Sequence, residues 1–178
     1  GPGTGNLTEF ILRKKPKKFY IIEKDERFIK NLSERFDNKL IIINEDILKY
    51  DLKLLSDTNL IIFGNLPYNI SSQILINFIN YSCSKFSYKK LVLMFQKEVA
   101  DRILAEDNSK NYGRLSIFSS WKLNIKKIMD IDPSSFFPKP KVMSSLLIFE
   151  PKINFIKFKN SKNLEHITNV FFNQRRKM

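Results

Sequence analysis

Four short apolar runs punctuate the chain up to Phe95: FYII at 19–22, LIII at 40–43, LIIF at 60–63 and LVLMF at 91–95. Each predicts a strand buried on both faces, because an unbroken apolar run leaves no face for water. Between the runs, apolar residues recur every three or four places. Asp25 is placed to cap a helix that turns Phe28, Ile29, Leu32 and Phe36 inward. A second helix starts near Ser71 or Ser72 and buries Ile74, Leu75, Phe78 and Ile79. A third begins around Lys97, with Val99, Ile103 and Leu104 on one face. Such alternation predicts an α/β domain with a parallel, doubly wound sheet.

The pattern changes after Asp132. PSSFFPKPK at 133–141 reads as a stiff loop, since proline prevents regular strand pairing. SLLIF at 145–149 follows as a further strand, expected to form an antiparallel edge with residues 121–129. From about Asn163 a new helix begins. The expected organisation is a catalytic domain over 1–152 and the start of a small helical domain over 153–178.

Charge adds a partner to this picture. Lys and Arg total 31 against 18 acidic residues, a formal net charge of +13. That excess suits a polyanion better than an acidic protein, although an AT-rich genome also inflates lysine. Cys83 and His166 are each the single residue of their type. An internal disulfide and a Cys/His zinc site are thereby set aside, and no metal is expected. No apolar run approaches a membrane span and no signal peptide is seen, so the expected setting is the cytoplasm or a ribosome-making organelle.

The candidate chemistry sits at the strand ends. Gly1, Gly3 and Gly5, in GPGTG, lead into a helix carrying Leu7, Phe10, Ile11 and Leu12. Glycines let a backbone approach a ligand closely, although a plain glycine turn looks the same. Glu23 ends the first apolar run and is placed to accept hydrogen bonds from ribose hydroxyls. Asp46 follows the second run, where it can bond the amino group of an adenine.

GNLPYNI at 64–70 follows the third run and is the most specific segment. Adenine N6 is a poor nucleophile because its lone pair is delocalised into the ring. Two acceptors, the Asn65 amide oxygen and the Pro67 carbonyl, can take both N–H bonds and aim the lone pair outward. Tyr68 supplies a face for an unstacked base. Phe136 and Phe137 offer a second aromatic wall on the proline-stiffened loop. One of the two is expected to cap the core, and Phe136 is assigned as the ring facing the base.

These segments resemble the family of bacterial small-subunit ribosomal RNA adenine N6,N6-dimethyltransferases and their eukaryotic and mitochondrial relatives. GPGTGNLT, the acid after FYII, NEDIL, GNLPYNISSQIL, FQKEVADRILA, YGRLS, FFPKPKVMSS and FNQRRKM occur in the family's order. The resemblance implies a Rossmann-like methyltransferase sheet followed by a small helical domain, with S-adenosylmethionine as donor. It implies transfer of methyl groups to two adjacent adenosines of small-subunit ribosomal RNA, with the immature subunit as partner and a monomeric, non-membrane enzyme. It assigns Gly1, Gly3, Gly5, Glu23, Asp46 and Asn65 to the cofactor, and Asn65, Leu66, Pro67, Tyr68 and Phe136 to the adenine. The family carries a first strand and a basic arm before the glycine loop, so an incomplete copy of the natural chain is expected.

Three other readings compete. The large-subunit ribosomal RNA methyltransferase branch shares the Asn-hydrophobic-Pro-Tyr turn, but Leu66, YGRLS and FNQRRKM favour the small-subunit branch. A non-catalytic RNA-binding factor on the same fold would be expected to lose the glycine loop or the acceptor pair. A DNA adenine methyltransferase usually has an acidic residue or serine at Asn65 and a second proline at Leu66.

Overall fold

The computed structural model describes residues 1–55, 59–81 and 88–173. It is α/β and folds as two compact units, Gly1–Leu54 and Leu55–Met178.

The first unit runs α1 (Asn6–Leu12), β1 (Tyr20–Glu23), α2 (Glu26–Phe36) and β2 (Ile41–Asn44). The Asp25 side chain accepts the Arg27 backbone N–H, which fixes the start of α2 as expected. Leu32 and Phe36 lie one turn apart on the helix and join Ile21 in a core, with Phe28, Leu40 and Ile42 packed around it. The crossover through α2 makes β1 and β2 parallel, with Tyr20 opposite Ile41 and Glu23 opposite Asn44. Both acidic positions therefore fall at one end of this pair.

The second unit contains β3 (Leu60–Asn65), α3 (Ser71–Tyr81), β4 (Tyr88–Gln96), α4 (Lys97–Ile103), α5 (Arg114–Lys122), β5 (Leu123–Ile131), β6 (Ser144–Pro151) and α6 (Ser161–Asn173). Its sheet has the order β3-β4-β6-β5. The β3–β4 pair is parallel, joined through α3, whereas β6 runs antiparallel to both β4 and β5. Leu91, Leu93, Phe95, Leu147 and Phe149 are fully buried in the central strands, and Ile74, Leu75 and Ile79 are buried on α3. The predicted antiparallel edge is present.

Four expectations need correction. The runs at 40–43 and 60–63 are not buried on both faces, for Ile41, Ile61 and Phe63 are 44%, 52% and 43% exposed. β2 and β3 are end strands of their sheets, and within its unit each is covered incompletely. The edge strand starts at Leu123, not at 121, because Trp121 and Lys122 close α5, a helix the apolar pattern did not announce. Lys122 is buried there: its ammonium lies 4.2 Å from the Trp121 ring and donates to the Ile79 carbonyl. Finally, α6 begins at Ser161, slightly before the predicted Asn163.

Candidate active site

In the first unit, the Gly5 N–H donates to the Pro2 carbonyl at 3.1 Å and closes the glycine turn. Gly5 has φ +84°, and a Cβ there would sit 2.7 Å from Phe36 and 2.8 Å from Leu32. It is held as glycine by both conformation and packing. A Cβ on Gly1 would lie 2.8 Å from Glu23 Oε2. The structure thus brings the loop and the Glu23 carboxylate together, as the sequence suggested.

Glu23 is only 8% exposed. Its Oε1 accepts the backbone N–H groups of Lys24 at 2.8 Å and Asp25 at 2.9 Å, so the carboxylate is fixed by the turn it terminates. The other oxygen faces the glycine loop. At the neighbouring strand end, Asp46 Oδ1 accepts the Leu48 N–H at 3.0 Å, and Oδ2 meets the Lys24 ammonium at 3.1 Å. The Leu48 amide first, and then Lys24, hold the Asp46 carboxyl below the usual carboxylate range. Sequence reasoning missed Lys24. Its ammonium holds Asp46 Oδ2, and its own side chain is 75% exposed.

In the second unit, β3 delivers Gly64 and Asn65 to the turn. The Asn65 side chain is exposed, and among the described residues its carboxamide makes no hydrogen bond. The Pro67 carbonyl accepts the Ile70 N–H at 3.2 Å, which leaves one carbonyl lone pair for another donor. Leu66 is 8% exposed, and a Cβ on Gly64 would lie 2.7 Å from it. Its side chain belongs to the core.

Tyr68 is half-buried and pinned at both ends. Its hydroxyl lies 2.7 Å from the Oγ of Ser144, which is fully buried at the start of β6, and its carbonyl accepts from the Ser71 hydroxyl at 3.1 Å. No sequence signal singled out Ser144 beyond its place after the proline-rich loop. The next residue, Ser145, points to the other face of the strand and donates to Asp130 Oδ1 at 2.6 Å. Lys127 at 2.8 Å and Lys97 at 3.5 Å complete that cluster. Lys127, then Ser145, pull the Asp130 carboxyl down to about 2.

On the loop between β5 and β6, Phe136 is partly enclosed whereas Phe137 is fully exposed. Phe137 does not cap the core. The Asp132-capped turn ahead of it and Pro138 behind it project its ring outward. Lys14, Lys15, Lys17, Lys18, Lys139 and Lys141 are exposed, as a polyanion-binding surface requires. Cys83 and the basic run Arg175, Arg176 and Lys177 lie outside the described residues. No group of three or more His, Cys, Asp or Glu among the described residues is arranged to hold a metal. No helix among them is long and apolar enough to cross a membrane.

Comparison with known proteins identifies a family and a fold. A family model described as Ribosomal RNA adenine dimethylase matches residues 1–178. Over all 178 residues the chain is 61% identical to the ribosomal RNA small subunit methyltransferase A of Pelagibacter ubique, of which it spans 68%. It is 42% identical to the protein of the same name from Ehrlichia ruminantium, again spanning 68% of that relative. Among solved structures, a dimethyladenosine transferase from Plasmodium falciparum superposes with a TM-score of 0.81 at 31% identity. That match covers 98% of this chain and 62% of the other. The 23S rRNA methyltransferase ErmE shares the fold, with a TM-score of 0.69 at 21% identity, covering 95% of this chain and 65% of its own.

Proposed function

Since this chain belongs to the ribosomal RNA adenine dimethylase family, we propose that it carries the catalytic part of an enzyme acting on two adjacent adenosines of small-subunit ribosomal RNA. Methyl groups pass to N6 of each adenosine, giving N6,N6-dimethyladenosine as the immature subunit matures. The carrying observation is the exposed, unpartnered Asn65 carboxamide two residues from a Pro67 carbonyl with a lone pair to spare.

S-Adenosylmethionine, when bound, supplies an electrophilic sulfonium methyl. The first unit fits such a donor: bulk at Gly1 would collide with Glu23, and Glu23 presents its remaining oxygen to the loop. Glu23 would accept from the ribose hydroxyls. Asp46 would accept from the adenine amino group of the donor, with Lys24 giving up its hold on that oxygen. The family resemblance also assigns Asn65 to the donor.

On the acceptor side, Asn65 Oδ1 and the Pro67 carbonyl each take one N6 hydrogen of the target adenine. This orients the nitrogen lone pair and increases its electron density without a titrating base at that atom. Tyr68, held by Ser144, offers its ring to the flipped base, and Phe136 closes the second side. N6 bonds the methyl as the donor's S–C bond breaks to leave a neutral thioether, and one N6 proton is released to water. One N–H then remains, so the second transfer relies on a single acceptor.

The reading takes residues 1–152 as catalytic and 153–178 as the beginning of a helical domain. The enzyme acts as a monomer in the cytoplasm, without a metal or a membrane. Its test is incubation of the protein with labelled donor and immature small subunits, followed by mapping of the methylated bases. Dimethyl label on two neighbouring adenosines supports it. Label on another base, or on a ring nitrogen, overturns it.

A further inference from the structure

Within the second unit, the α4–α5 connection and α6 border an open pocket of about 380 Å³. Arg102, Lys110, Arg114, Tyr112 and Phe172 line it, and no acidic side chain does. Arg114 is anchored, with Nη1 donating to Asn169 at 3.1 Å and Nη2 reaching Glu165 at 3.4 Å. Arg102 and Lys110 are exposed and make no ion pair among the described residues. The Tyr112 and Phe172 rings meet edge to face, with centroids 6.3 Å apart, and form an aromatic wall beside these cations.

We propose that this pocket holds one single-stranded nucleotide of the RNA outside the target adenosine. Its flanking phosphates lie against Arg102 and Lys110, and its base lies against the Tyr112–Phe172 wall. The inference rests on the RNA-methyltransferase reading and adds a second contact to it. Arg102 and Lys110, which make no ion pair among the described residues, favour an anion, and arginine's planar fork matches a phosphate. The pocket is at the small end of ligand-site volumes, enough for one nucleotide and too small for a helix. A paired base has no face to offer the wall, so the occupant is unpaired. The donor loop and the acceptor turn contribute no residue here.

The experiment measures binding of a fluorescent RNA hairpin with a single-stranded loop, across a salt series. Four proteins are compared: the wild type, Arg102→Ala with Lys110→Ala, Tyr112→Leu, and a charge-matched control, Lys30→Ala with Lys53→Ala. The paired pocket variant should bind about tenfold more weakly at moderate salt. Its log–log slope should be shallower by about 1.4, which is about 0.7 for each lost phosphate contact. Tyr112→Leu should lose about tenfold in affinity with the slope unchanged, as stacking rather than charge is removed. Unchanged thermal melting of each variant shows that the fold is intact. A control pair that loses as much as the pocket pair overturns the proposal, because net charge alone then explains binding. So does a pocket pair with wild-type slope. A wild-type protein that binds no RNA sinks the functional reading itself, and the pocket with it.

Discussion

The two units prepare their polar groups in opposite ways. In the first, both functional carboxylates are already committed: Glu23 to two backbone amides, Asp46 to the Leu48 amide and the Lys24 ammonium. In the second, the Asn65 carboxamide makes no hydrogen bond among the described residues, whereas the neighbouring Tyr68 is tied down at its hydroxyl and its carbonyl. On the proposed function the donor's ribose and adenine groups are the same before and after transfer, which changes only its sulfonium, so prefixed carboxylates serve them with little reorganisation. The target nitrogen loses a hydrogen at each methyl transfer, and an acceptor with no competing partner can follow that change. On the proposed function, rigidity falls around the base and hydrogen-bonding capacity stays open at the nitrogen.

The largest expected effect comes from removing the open acceptor. Asn65→Ala should lower single-turnover methylation by about 10²–10³, the usual cost of one preorganised hydrogen-bonding group. Asn65→Asp is the sharper probe, because it keeps an acceptor of the same size while adding charge. A wild-type rate in the alanine enzyme would break the contrast between the units.

Next in size is Glu23. Loss of a hydrogen bond to a charged group costs about 1.5–3 kcal/mol, so Glu23→Ala should weaken donor binding by about tenfold or more. Calorimetry with the donor reads this directly. Glu23→Gln retains an acceptor for the Lys24 and Asp25 amides and should fall between the two. Equal affinities for all three proteins would remove Glu23 from the donor site.

A smaller loss is expected where the ring is only held in place. A neutral hydrogen bond contributes about 1 kcal/mol net, so Tyr68→Phe and Ser144→Ala should each reduce kcat/KM for RNA about fivefold. The double variant should lose no more than either single, since both remove one bond. Additive losses would mean that the hydroxyls act separately.

The least effect belongs to charge outside both sites. The Asp130 carboxyl sits at about 2, below its ordinary 3.8, because the folded state favours its ionised form beside Lys127, Ser145 and Lys97. Its contribution to stability is therefore complete above about pH 4 and is lost as pH falls through 2. Thermal melts of wild type and Asp130→Asn should differ at neutral pH and converge in acid. A difference that does not shrink on acidification would separate Asp130 from that titration.

Much of this was legible in the chain because it depends on local periodicity. The α2 face of Phe28, Leu32 and Phe36, the Asp25 cap and the α3 core positions all follow from spacing and capping chemistry. The strand ends that carry Glu23, Asp46 and Asn65 were readable for the same reason. What stayed hidden depends on partners far along the chain. Ser144 meets Tyr68 only because β6 returns beside β4, and Lys24 meets Asp46 only because β1 pairs with β2. Trp121 and Lys122 fall on α5, ahead of the strand, and Lys122 is buried there with its ammonium over the Trp121 ring. Leu66 carries no sign of burial in a motif, yet its side chain packs with Leu93 against Gly64, where a Cβ would find no room. The exposure of Ile61 and Phe63 likewise reflects where a strand lies in its sheet, which composition does not encode.

The division between a donor-holding unit and an acceptor-holding unit is tested most directly by one crossed measurement. Donor affinity and single-turnover rate at saturating donor are measured side by side for wild type, Glu23→Ala and Asn65→Ala on the same RNA. The predicted result is a crossed pattern. Glu23→Ala loses donor affinity and recovers most of its rate at saturation, whereas Asn65→Ala keeps donor affinity within about threefold and stays about 10²–10³ slower. If both variants lose donor affinity alike and both recover at saturation, Asn65 serves the donor alone and the acceptor mechanism is wrong.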